Sequence, residues 1–192
     1  MVLFTAIIGH SFNEEKIFAT ADFLNSTRPE VQHCLAILHE HLISKHGQVP
    51  WQWTIREGHS LHEDFQTNGV IVLDETNMFS TRVSKRLMCL YSTIRWSQFL
   101  REPVVNNGLR CLSNILASAL DSKVIIYVPD SGGPPSGVSD LLYCEAGIEE
   151  AVMWLQTNCG PPAKTFEEIF PETADVVNEN GYFIEFAAKS RS

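Results

Sequence analysis

The chain has 192 residues, 44% of them apolar, with 14 Lys+Arg against 23 Asp+Glu and a net charge of −9. That length and apolar content suffice for one packed core and exclude a disordered chain. The acidic balance argues against nucleic-acid binding, and no apolar run reaches membrane-spanning length.

Val2 to Ile8 reads as a first strand rather than a signal peptide, since no Lys or Arg precedes it and no small-residue cleavage site follows. Asn13-Glu14-Glu15 marks a helix start, with acids near the positive end of the dipole. A second helix is expected from Pro29 to His46, its face carried by Val31, Leu35, Leu38, Leu42 and Ile43, with Gly47 as cap. Trp51 to Arg56 alternates as a strand, and Val70 to Leu73 follows the Asn68-Gly69 turn as another.

The spacing of Val83, Leu87, Leu90, Tyr91 and Ile94 predicts a helix over Ser80 to Leu100, ended by Pro103. Asn106-Asn107-Gly108 reads as a turn, and Leu109 to Ala119 as a helix. Val124 to Val128 is a central strand by its β-branched and aromatic content, followed by a Gly/Pro-rich loop to Gly137. Val138 to Cys144 is expected as a strand. Ile148 to Cys159 is a helix, capped by Gly160 and stopped by Pro161-Pro162, and Tyr182 to Phe186 is a last strand. With no repeat and no long linker, residues 1–192 are expected to form a single α+β domain with a mixed β-sheet and helices packed on it.

Five cysteines (Cys34, Cys89, Cys111, Cys144 and Cys159) are odd in number and widely spaced, without CxxC. They are expected as reduced thiols in a cytoplasmic protein. All seven histidines fall within the first 62 residues. Without HExxH or Cys/His ligand spacing they predict neither a metal site nor any cofactor.

Asp130-Ser131-Gly132-Gly133-Pro134 resembles the nucleophile motif of chymotrypsin-like serine proteases, which implies Ser131 as nucleophile. The resemblance covers five residues. Pro129 stands where that family's oxyanion hole takes a glycine N–H, and proline has none. The segment therefore reads as a turn.

Charge is segregated. Asp130 to Glu179 holds ten acids against Lys164 alone, a balance of −9 that equals the net charge of the chain. Ser80 to Arg110 holds six bases against Glu102 alone. Either these segments pair within the fold, or the acidic one meets a basic partner. The second alternative gives the functional expectation: a small acidic binding protein that neutralises or regulates a basic partner protein, of the toxin-immunity kind. Its contact residues are expected to be Glu145, Glu149, Glu150, Trp154, Glu167, Glu168 and Glu172, with no catalytic residue. The alternatives are a hydrolase, metal-dependent or not, using His59, His62 and Asp64 or the Asp130-Ser131 loop, and an oligomeric scaffold.

Overall fold

In the computed structural model of the chain, the residues described are 2–11, 29, 33–34, 36–38, 53–55, 71–75, 79–130, 134–170 and 181–186. Expectations for residues 13–24, for most of 29–46, and for His59, His62, Ser131 and Glu172 lie outside them.

Seven strands form one sheet in the order β2-β3-β4-β5-β1-β6-β7. They are β1 (Leu3–Gly9), β2 (Trp53–Ile55), β3 (Ile71–Glu75), β4 (Phe79–Val83), β5 (Leu87–Arg95), β6 (Val124–Asp130) and β7 (Phe183–Phe186). The helices are α1 (Trp96–Arg101), α2 (Pro103–Ala119), α3 (Ile148–Cys159) and α4 (Phe166–Ile169), with a 3₁₀ helix over Pro134–Cys144. Residues 29, 33–34 and 36–38 are also helical. The expected α+β class and the helices packed on the sheet are both present.

All six pairings between the described strands are antiparallel, so the sheet expected to be mixed is antiparallel among them; an isolated bridge, Ala163 with Phe183, is parallel. β5 and β6 flank β1 and run the same way, so their connection is a crossover. The α1–α2 pair supplies the dozen or more residues that such a connection needs.

The expected helix over Ser80 to Leu100 is instead a hairpin. Ser84-Lys85-Arg86 forms its turn, where Ser84 N–H donates to the Leu87 carbonyl (2.8 Å) and Leu87 N–H to Ser84 Oγ (3.2 Å). Leu87 to Leu90 of β5 are buried on both faces, so the apolar run matches helical spacing by chance. The expected strand at Val138 to Cys144 is the 3₁₀ helix, which turns Val138 and Leu142 toward the same core. The expected turn at Asn106–Gly108 lies inside α2, which begins earlier, at Pro103 in the first helical position.

Side-chain alternation assigns two cores to the two faces of the sheet. Phe4, Ala6 and Ile8 of β1 join Met88, Leu90, Ile125 and Tyr127 beneath α1, α2 and α4. Ile7 joins Leu87, Cys89, Ile126 and Val128 beneath the 3₁₀ helix and α3. On the first face Phe99 is the centre of an aromatic group, with ring centroids 4.6 Å from Phe4 and 5.2 Å from each of Trp96, Tyr127 and Phe166.

The expectation of five free thiols is corrected. Cys34 and Cys111 are joined in a disulfide with Cα atoms 5.9 Å apart, while Cys89, Cys144 and Cys159 are free. The two are 77 residues apart in sequence, and only the packing of their helices brings them within bridging distance. No described helix is long and apolar enough to cross a membrane.

Candidate functional site

α3 starts after Gly147, whose N–H donates to the Glu150 carboxylate (2.9 Å), and ends at Gly160 with φ +86°. Glu149 and Glu150 occupy its first turn, where the helix dipole favours anions. Ala151 and Leu155 are fully buried against the sheet, with Ile148 and Val152 beside them. The opposite stripe of α3 presents Glu149, Met153, Gln156 and Thr157 to solvent. Met153 is 65% exposed, one helical turn beyond Glu149. Trp154 is half-buried. Its ring lies where a side chain at Gly137 would sit, 2.9 Å from a Cβ built there.

Two of the expected contact acids are engaged within the chain. Lys85 Nζ lies 2.7 Å from Glu145 Oε1, and Arg86 Nη1 lies 3.3 Å from Glu150 Oε1. The Arg86 guanidinium rests over Gly147, where a Cβ would stand 2.4 Å from Nη2. The β4–β5 turn is thereby fastened to the start of α3. The Glu150 carboxyl is held below its ordinary value by backbone N–H groups, its own and that of Gly147, with Arg86 adding to them. Among the described residues, Glu149 and Asp140 are exposed and make no ion pair.

Glu167 and Glu168 are not brought to this surface. After Pro162 the chain passes the β7 edge, where Ala163 bridges Phe183, and α4 packs Phe166 and Ile169 into the core on the other face. Glu168 there accepts the Lys164 N–H at 2.8 Å. The single acidic surface expected from the sequence is therefore two surfaces, on opposite faces of the sheet. The exposure of Met153 went unread in the sequence. Helical spacing places Ile148, Ala151, Val152 and Leu155 on one stripe and leaves Met153 outside it.

Beside this layer, between the 3₁₀ helix and β4, lies a groove of about 450 Å³. Arg82, Tyr91, Asp130, Ser139 and Asp140 line it. Arg82 lies over the Tyr91 ring at 5.1 Å. Burial raises the Tyr91 phenol above its ordinary value and pushes the adjacent Cys89 thiol up to about 12, so neither group ionises near neutrality. Of the residues raised for a hydrolase, Asp130 is placed here. Among the described residues no group of three His, Cys, Asp or Glu side chains is arranged to hold a metal. Comparison of the chain with protein-family models, with curated proteins and with solved structures finds no match.

Proposed function

We propose that this chain is an acidic binding protein that docks a basic partner protein through α3, in the manner of an immunity protein blocking a toxin, in the cytoplasm and without a cofactor. The reading is supported by one juxtaposition: the exposed Met153 rimmed by the unpaired Glu149 on the same helix stripe. Lys85, Arg86 and Arg110 are paired with Glu145, Glu150 and Glu185, one base to one acid, so these pairs leave the net charge of −9 unchanged. Such a field speeds encounter with a cationic protein. An exposed methionine supplies an adaptable apolar contact once the partner arrives.

The test is association kinetics with the protein that co-purifies from the native source. Glu149→Lys is expected to lower the on-rate several-fold and flatten its salt dependence, because rim charges act mainly on encounter. Met153→Ala is expected to raise the off-rate. Glu167→Lys, on the opposite face, should change the off-rate little. Binding that is indifferent to salt and to both α3 substitutions rejects the reading.

A further inference from the structure

The disulfide sits within a close helix crossing. Cys34 meets Cys111 of α2, and four residues on, Leu38 meets Gly108, three residues earlier on α2. A step forward along one helix is a step back along the other, so the two run antiparallel. A Cβ at Gly108 would stand 2.6 Å from Leu38 Cδ2, so the approach depends on glycine. Leu38 and Cys34 are fully buried, whereas Cys111 is half-buried.

We propose that Cys34–Cys111 is a redox-responsive latch on this helix pair. Closed, the bond ties the helical segment around Cys34 to α2. Open, Leu38 and Ile37 still pack at Gly108, but no covalent bond holds the pair. The responsive role rests on the cytoplasmic placement made above, since disulfides in that compartment are usually transient and sensing rather than permanent.

A dithiol reductant opens the bond by thiol–disulfide exchange. A reductant thiolate attacks Cys111 Sγ, the sulfur on the less buried residue. The S–S bond breaks, and Cys34 leaves as a thiolate and takes a proton. The second thiol of the reductant then displaces Cys111 from the mixed disulfide, and the reductant departs as a cyclic disulfide, having supplied two electrons. Cys89, Cys144 and Cys159 take no part.

The full-length chain is equilibrated in glutathione buffers of varied poise, quenched by acid, denatured and alkylated. Its modified thiols are counted by mass. Five are expected in reduced buffer and three in oxidised buffer, with the missing pair mapped to Cys34 and Cys111. Hydrogen exchange at residues 33–34 and 36–38 is expected to quicken about tenfold or more on reduction without denaturant, as in local opening. Cys34→Ser/Cys111→Ser should show the fast rate in either buffer. Glutathione should add to Cys111 of Cys34→Ser faster than to Cys34 of Cys111→Ser.

Five alkylated thiols in oxidised buffer overturn the proposal. So does a bond that stays closed in reductant until the chain is denatured, which marks a permanent staple. The thiol count needs neither a variant nor a partner. Failure of the latch therefore leaves the docking reading standing, and failure of docking leaves the latch.

Discussion

Glu185 takes three hydrogen bonds on one carboxylate, from Arg110 Nε (2.9 Å), Arg110 Nη2 (2.7 Å) and Tyr127 OH (2.8 Å). Burial pushes this carboxyl up, but donation by Arg110 and Tyr127 outweighs burial and leaves it below its ordinary value. A carboxyl depressed in the folded state adds stability above its unfolded value, and that stability is lost as pH falls through the folded one. Glu185→Gln is expected to cost about 1–3 kcal/mol at neutral pH, less than a fully buried pair because Arg110 is partly exposed. It should also flatten the loss of stability on acidification. Urea midpoints from neutrality to about pH 3 check this. Acid limbs of equal slope for the two proteins would show that Glu185 carries none of the dependence.

At the level of elements, α3 divides its residues sharply between sheet and solvent. Leu155 is fully buried against the sheet, while Met153, two positions earlier, faces out. Leu155→Ala is expected to cost about 2–5 kcal/mol, as a buried leucine leaving a cavity does. Met153→Ala should stay within about 0.5 kcal/mol. Denaturant midpoints measure both, and equal costs would place α3 in a different rotation about its axis. The β4–β5 hairpin shows the opposite situation. Its strands carry buried residues on alternate or successive positions, and only the short turn at Ser84-Lys85-Arg86 separates them. That turn is then fastened to α3 by two exposed ion pairs, which contribute more to its orientation than to stability.

For the molecule as a whole, the two cores share one sheet, since β1, β5 and β6 contribute alternate residues to both. Losing either helical layer would expose one face of the same three strands. Unfolding is therefore expected as one cooperative transition. Trp96 is fully buried in the first core, and Trp154 packs at the second. Variants retaining only one of these tryptophans should show coincident fluorescence midpoints in denaturant. Midpoints that separate would mean that the layers unfold independently, against the one-domain expectation.

The strands β1, β6 and β7 and the helix α3 were legible in the sequence because each carries a complete local signal. β1 and β6 are unbroken apolar runs, and α3 pairs helical spacing with Gly160 and Pro161-Pro162. The β4–β5 hairpin was not, because burial of Leu87 to Leu90 on both faces erases, over the first half of β5, the alternation that distinguishes a strand from a helix. The segregation of charge was equally plain, with ten acids in one segment and six bases in another. Their neighbours in space were set by topology: the passage of the chain around the β7 edge sends Glu149 to one face and Glu167 to the other. The same holds for Cys34 and Cys111, since spacing along a chain says nothing of distance until two helices cross. Local pattern determined the class of fold and the sign of the surface. Long-range packing alone decided which charges are spent internally, which thiols meet, and that Met153 faces solvent beside an unpaired acid.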